Sequence, residues 1–286
     1  MATNLLSTLP NDPKDVTPSP KLAKYLQEDD ISQECQALIS TLPKEQGWVL
    51  SHLYQYQGFW YPVKMLQGVL SCQRHFQARD TDIILATNPK CGTTWLKALA
   101  YAIINRKINP PGGDNHPLHS NNPHELVPYL ELKLYADHQV PDLTKLPSPR
   151  LFSTHLPIDS LPLSIKETGC KVVYLARDPK DAFISFWHFM NKPRPQNSKI
   201  TLEEAFDKFY KGVNICGPFW GHLLNAWKYS LDNPNKVFFL KYEELKEQPK
   251  LYLKKLAEFW GCPFSLEEEN NGVIIEEILG LCSFDI

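Results

Sequence analysis

The chain has 286 residues, 43% of them hydrophobic and 12% aromatic, enough to bury a full core as one large α/β domain. Thirty lysines and arginines against 32 acidic residues leave a net charge of −2, with no basic tract along which a nucleic-acid backbone would lie, so polymeric nucleic acid is not an expected partner. No stretch approaches the roughly 18 uninterrupted apolar residues of a membrane span, and seven dispersed cysteines without a C-x-x-C read as reduced thiols, neither a disulfide framework nor a zinc site.

Residues 1–30, rich in Pro, Ser, Thr and Asp, read as a flexible arm, with the folded part starting near Ile31. The opening MATNLLSTLPNDPKD has no basic region and only a short apolar stretch, so a cytoplasmic protein is expected. Four apolar, β-branched or aromatic runs follow, over residues 83–86, 151–155, 172–176 and 237–240, each succeeded by a turn and usually by a helical pattern. This alternation predicts an α/β fold: a central parallel sheet flanked by helices on both faces, with ligands gathered at the carboxyl ends of the strands. His116 and His119 lie in a Pro, Gly and Asn-rich loop without a cysteine or clustered carboxylate nearby, and no metal is expected there.

The first run opens TDIILATNPKCGTTWLK, which predicts a strand, a phosphate-binding loop and a helix start. Gly92 lets the backbone close on an anion, the amides of Gly92, Thr93 and Thr94 point at it, and the threonine hydroxyls cap the helix or add donors. Lys90 precedes Gly92, whereas a nucleotide-triphosphate loop places its lysine after the second glycine. Trp95 shares a helix face with Leu99 and Ile103, as core or as cover for a base.

The second run ends in STHLP, where His155 is a candidate general base or a structural histidine. In the third, KVVYLARDPKDAFISFWHFMNK, Asp178 and Pro179 read as N-cap and first helical residue. Arg177 at the strand tip suits a phosphate, and Ser185 can add a hydroxyl to the same anion; otherwise Arg177 pairs with a carboxylate and Ser185 is surface. After the fourth run, Tyr242 either reaches the ligand or caps a sheet edge, ahead of an amphipathic helix ending near Trp260.

PKCGTTWLKAL, STHLP, YLARDPKDAFISFWHF and KYEELKE, in that order, resemble the motifs of the cytosolic sulfotransferase family, plant type, whose flavonol and steroid members also have segments similar to NNPHELVPYLE and PFWGHLLNAWKYS. The resemblance spans roughly residues 45–286 and several ordered motifs. It implies a PAPS-dependent sulfotransferase (PAPS, 3′-phosphoadenosine 5′-phosphosulfate) that needs no metal and acts on a small hydroxylated acceptor such as a flavonoid, a steroid or another phenol. It further implies that His155 is the base, that Lys90 stabilises the leaving phosphate, and that Lys90, Cys91, Gly92, Thr93 and Thr94 grip the phosphosulfate. Arg177 and Ser185 would hold the 3′-phosphate, Tyr242 would touch the adenosine, and Trp95 with Phe284 would sandwich the adenine. Cys91 stands where most members carry serine.

The chain stops at Ile286, before the Arg-Lys-Gly loop and dimerisation segment of the family. The implied domain over residues 31–286 would then lack that clamp, leaving a monomer with weakened PAPS binding or a non-catalytic nucleotide-binding protein. A P-loop small-molecule kinase, the remaining alternative, would show lysine after glycine and a metal-binding aspartate at a strand end. Tyr54, Tyr56, Phe59, Trp60, Tyr129, Trp187, Phe219 and Trp220 offer aromatic surface for a flat acceptor, although many of those rings must simply be core.

Overall fold

All four apolar runs become strands of one parallel sheet. The computed structural model describes residues 31–48, 52–137 and 140–283; the arm expected over residues 1–30 and the expected adenine contact Phe284 lie outside the described residues. The chain enters through α1 (Gln33–Ile39), a small antiparallel sheet of β1 (Lys44–Glu45), β2 (Leu53–Tyr56) and β3 (Phe59–Tyr61), and α2 (Val63–His75). β4 (Ile83–Thr87) leads directly into α3 (Thr93–Asn105), and the one-turn α4 (Pro123–Leu126) and a π-helical turn, Leu130–Leu134, precede β5 (Leu151–Thr154). Then come α5 (Leu163–Glu167), β6 (Lys171–Ala176), α6 (Pro179–Asn191), α7 (Leu202–Tyr210), α8 (Phe219–Asp232) and β7 (Val237–Lys241). The chain continues through α9 (Tyr242–Glu247), α10 (Pro249–Phe259), α11 (Leu266–Asn271) and α12 (Val273–Leu281).

The parallel sheet has the order β5-β4-β6-β7, with Ile84 beside Phe152 on one side and Val172 on the other, and Val172 beside Val237. Successive strand residues face opposite sides. Ile84, Ala86, Phe152, Val172 and Tyr174 join a core with Leu66 of α2, Phe186 of α6 and Phe219 of α8, whereas Ile83, Leu85, Val173 and Leu175 pack on Leu99 of α3, Leu256 of α10 and Ile278 of α12. Burial on both faces explains why the strands read as unbroken apolar runs. Because the chain goes from β4 outward to β5 and then crosses to β6 on the other side, the loops after β4 and its neighbours diverge at a switch point where a crevice opens.

Two local expectations are corrected, and one element is new. No side chain caps α3: Gly92 is its N-cap, with φ 97°, and the threonine hydroxyls are engaged elsewhere. The helix expected after Tyr242 is two helices, broken where Pro249, which lacks an N–H and disfavours helical backbone in the residue before it, holds Gln248 at φ −129° and ψ 58°. The small sheet was not anticipated, since its strands of two to four residues are too short to show a period. Asp178 does cap α6, its carboxylate accepting from Lys180 N–H at 2.8 Å. No helix among the described residues is long and apolar enough to cross a membrane.

At the amino end of the sheet a buried ion pair fixes β4 against β5. Arg150 Nε donates to Asp82 Oδ1 at 2.8 Å, Asp82 Oδ2 accepts from Arg79 N–H at 2.8 Å, and Arg150 Nη2 also reaches the Gln77 carbonyl at 3.0 Å. Both side chains are almost completely buried, so removing one partner strands the other charge. Asp82→Ala is expected to destabilise the fold by about 3–5 kcal/mol, measured by urea unfolding; a loss under about 1 kcal/mol would show that the pair behaves like an exposed one.

Candidate functional site

The crevice at the switch point is a cavity of about 870 Å³ bordered by the loop after β4, the residues after β5 and β6, and the side of α6. Lys90, Gly92, Thr93, Thr94, Trp95, His155, Arg177, Ser185 and Tyr242, all singled out from the sequence, line it together. Cys91 does not; it is buried beneath the loop, where loss of solvent pushes its thiol up to about 12. Among the eight aromatic residues that offered surface for an acceptor, only Tyr129 borders the cavity, and several of the others are core, as expected. Phe59, Trp60 and Phe219 belong to the core, and Trp187 Nε1 is bound to the Ile200 carbonyl at 3.0 Å. The apolar wall is instead made by Met65, Leu132, Phe186, Phe189, Met190 and Ile215.

The loop after β4 has the chemistry of an anion seat. First-turn amides of a helix have no intrahelical acceptor, and Gly92, Thr93 and Thr94 bring those of α3 to the cavity. Gly92 is obligatory there: its φ is left-handed, and a Cβ would stand 2.7 Å from the ring of Tyr242. Lys90 is also left-handed, with φ 69°, and its carbonyl accepts from Arg177 Nη1 at 3.1 Å. Its Nζ rests 4.4 Å from the centre of the Phe189 ring. Burial, then the nearby charges of Arg177 and Lys192, hold its pKa below the usual lysine range. Arg177 lies across Tyr242, 4.8 Å from the ring centre, and its buried Nε has no hydrogen-bond partner among the described residues. Its weak approach to Asp181, 3.8 Å on an exposed carboxylate, does not satisfy that guanidinium. The group is free to take a phosphate oxygen. Trp95 meets Tyr242 edge-on at 5.6 Å.

His155 faces this seat from the end of β5. Its Nδ1 is 2.7 Å from the Thr87 carbonyl, which can only accept, so the proton sits on Nδ1 and the lone pair on Nε2. Thr87 Oγ1 is 3.2 Å from the same nitrogen and 2.7 Å from Thr93 Oγ1, tying the histidine to the loop. Two residues that sequence reasoning did not single out hold its backbone. Glu131 Oε1 accepts from His155 N–H at 2.7 Å while Oε2 accepts from Thr154 Oγ1 at 2.8 Å, and His222 Nε2 donates to the His155 carbonyl at 3.0 Å. Tyr174 in turn donates its hydroxyl to His222 Nδ1 at 2.7 Å. Glu131 is carried against α2 at Gly68, where a Cβ would fall 2.0 Å from the Glu131 carbonyl oxygen. The sequence signal that could have found them is their place in the segments NNPHELVPYLE, which ends at Glu131, and PFWGHLLNAWKYS, which contains His222; Glu131 also stands as a charge in the apolar pattern LELKL.

Comparison with known proteins decides the family. A family profile described as "Sulfotransferase domain" matches residues 80–285. Cytosolic sulfotransferase 12 of Arabidopsis thaliana is 49% identical over 93% of this chain and 81% of its own length, and cytosolic sulfotransferase 5 of the same plant is 48% identical over 90% and 80%. The chain belongs to the sulfotransferase family. The crystal structure of an Arabidopsis thaliana candidate steroid sulphotransferase superposes on this sulfotransferase with a TM-score of 0.79 and 50% identity, covering 91% of this chain and 88% of that one. Mouse sulfotransferase SULT7A1, solved in complex with PAP, gives 0.59 at 27% identity over 81% and 74%.

Burial shapes the titration of the site. It lowers His155 to about 3, the Thr87 carbonyl opposing, and lowers His124 and His222 each to about 4. All three are neutral when folded, whereas in the unfolded chain they take up protons near pH 6.5. Stability contributed by keeping them neutral is present above about pH 6.5 and is lost as the pH falls towards 4. The melting temperature of the sulfotransferase is therefore expected to drop by at least about 5 °C between pH 7 and pH 4.5, followed by near-ultraviolet circular dichroism. A flat profile would mean that these imidazoles are not held neutral.

Proposed function

We propose that the sulfotransferase moves the sulfuryl group of PAPS to the hydroxyl of a small, largely apolar acceptor, with His155 as general base and Lys90 at the leaving group. The observation that carries this reading is the pairing, across one cavity, of an imidazole whose Nδ1 is committed to Thr87 with a partly desolvated lysine and an arginine whose buried Nε has no hydrogen-bond partner among the described residues. The residues fit the donor: Gly92 leaves the approach of an anion open, Lys90 stands beside it, and the orphaned Arg177 Nε, with Ser185 also on the cavity wall, suits a second phosphate. When bound, PAPS supplies a sulfuryl group attached to a phosphate as leaving group, and a 3′-phosphate for Arg177 and Ser185 to hold.

His155 Nε2 accepts the proton of the acceptor hydroxyl as its oxygen bonds to sulfur, and Nδ1–H keeps the ring aimed. An anion in the cavity raises the pKa of this imidazole from its buried value, bringing the base closer to working pH. Lys90 and the α3 amides meet the negative charge that appears on the phosphate oxygen as the sulfur–oxygen bond breaks. Tyr242, Trp95 and the loop serve the nucleotide. Met65, Leu132, Phe186, Met190 and Ile215 exclude water from the acceptor side and favour a steroid, flavonoid or other flat alcohol. Residues 31–286 act as one domain in this reading, and the naming of its plant relatives as cytosolic supports a cytoplasmic enzyme.

The test is sulfation of a panel of phenols and steroids with PAPS. Lys90→Ala and His155→Ala are each expected to lower kcat/KM by roughly 10²-fold to 10⁴-fold, while His155→Ala keeps its affinity for PAP (3′-phosphoadenosine 5′-phosphate) in calorimetry. Strongly weakened PAP binding in His155→Ala would remove the base assignment. Arg177 is tested separately. The wild type should prefer PAP to AMP, and Arg177→Ala should lose most of that preference; equal affinity of the wild type for the two nucleotides would overturn its role as reader of the 3′-phosphate.

A further inference from the structure

Beside the cavity, side chains from three segments form a polar chain that the proposed mechanism leaves unused. Lys97 of α3 is fully buried, with Nζ 2.9 Å from His124 Nδ1 and 3.3 Å from the centre of the Tyr129 ring. The other nitrogen of His124, Nε2, lies 3.2 Å from Thr94 Oγ1. Thr94 and His124 both border the cavity, and Tyr129 stacks on His124 while leaning on His155.

The charge on Lys97 sets the direction of every proton in this chain. An ammonium carries three donors and no acceptor, so His124 Nδ1 must accept from it. A neutral imidazole has one N–H, which then sits on Nε2 and donates to Thr94 Oγ1. The hydroxyl proton of Thr94 is left to point into the cavity. With an uncharged amine the chain can reverse: Nδ1–H donates to Nζ, Nε2 becomes an acceptor, and the Thr94 proton is spent on it.

We infer that Lys97 is a positioning residue of the donor site: when charged, it turns the Thr94 hydroxyl, through His124, towards an anion seated in the loop after β4. This rests on the reading of that loop as the seat of the donor. The groups around the pair bear on the balance. Glu131 of the π-helical turn favours the charged lysine and Lys133 of the same turn opposes it, while Lys97, Lys90 and Lys133 all disfavour a proton on His124. His155, after β5, is coupled to both members of the pair and is itself held neutral. Burial brings Lys97 down to about 6, and the face of Tyr129 favours its cation. Below that pH the free protein already holds the ammonium; above it, an arriving anion draws in a proton. Affinity for the anion accordingly falls as the pH rises.

The experiment is calorimetry of PAP binding to the full chain at pH 7.5, in buffers of different ionisation enthalpy, with wild type, Lys97→Met, Thr94→Val and the double variant. Each single change is expected to weaken PAP about five- to tenfold, the double change no more than either alone, and Thr94→Ser to restore wild-type affinity. Lys97→Met should also take up fewer protons than wild type, a difference that cancels the protons of PAP itself. His124→Gln, which keeps an N–H for Thr94 without reference to Lys97, should hold affinity within about twofold and lose the extra proton uptake, so the inference stands or falls even if Lys97→Met does not fold. Additive losses in the double variant, or unchanged proton uptake in Lys97→Met or His124→Gln, overturn the relay alone. A wild type that binds no PAP overturns the donor-site reading, and the relay with it.

Discussion

The hydrogen bond from His155 Nδ1–H to the Thr87 carbonyl is where the sheet becomes a site. On the β6 side Thr87 still pairs within the ladder, opposite Leu175, but on the β5 side the ladder ends one residue earlier, at Ala86 and Thr154. The last carbonyl on that side would be a buried acceptor without a partner, and the imidazole satisfies it at 2.7 Å. One bond thereby completes the strand, selects the tautomer and fixes the ring. The backbone of His155 is pinned on both sides, by Glu131 at its amide and by His222 at its carbonyl, so neither ring nor main chain has a nearby alternative. Removing any of these partners would leave a polar group buried and unmet, which is why such an arrangement holds its geometry without a ligand.

The same burial leaves the cavity short of negative charge. Lys90 and Lys97 are held below their ordinary pKa values and three imidazoles are kept neutral, each because water has been withdrawn from it. The buried carboxylate of Glu131 is already engaged by an amide and a hydroxyl, and burial raises its own pKa. An arriving dianion therefore meets cations and donors that are already partly desolvated and held in place. What favours the ligand disfavours the empty fold, and the site rests on an interior that is otherwise conventionally packed.

Much of this was readable in the sequence, for a physical reason. A strand buried on both faces must be apolar throughout, so residues 83–86, 151–155, 172–176 and 237–240 stood out, and the rule that ligands collect at strand ends pointed to Lys90, His155, Arg177 and Tyr242. The residues that hold these in place were harder to find. His124, Glu131 and His222 come from a one-turn helix, an irregular turn and a helix packed from the other side of the chain, and no periodicity links them to a strand end. Lys97 did leave a trace, as a lone charge in TTWLKALAYAII, but a buried lysine and a surface lysine look alike until the neighbours of the helix are known. Which aromatic rings face the cavity was illegible for a similar reason: many of them had to be core, but composition counts rings without saying which of them the core consumes.

The position of the lysine before the glycine follows from what packs against the loop. In a triphosphate loop the lysine enters from the helix, after the last glycine. Here Gly92 is the N-cap of α3, and the ring of Tyr242 lies so close that not even a methyl group fits at that position. The cation is supplied from the strand side instead. Lys90 adopts left-handed backbone, which costs about 1–2 kcal/mol for a residue with a side chain, and the Arg177 guanidinium offsets this by capturing its carbonyl at 3.1 Å. That contact sets two cations side by side, both facing the cavity, an arrangement that becomes favourable once an anion lies between them. The strained residue, the obligatory glycine and the adjacent arginine are thus one device, in which the loop takes its shape from β4, β6 and Tyr242 and the lysine is carried to the side of the loop away from the Tyr242 ring's contact at Gly92.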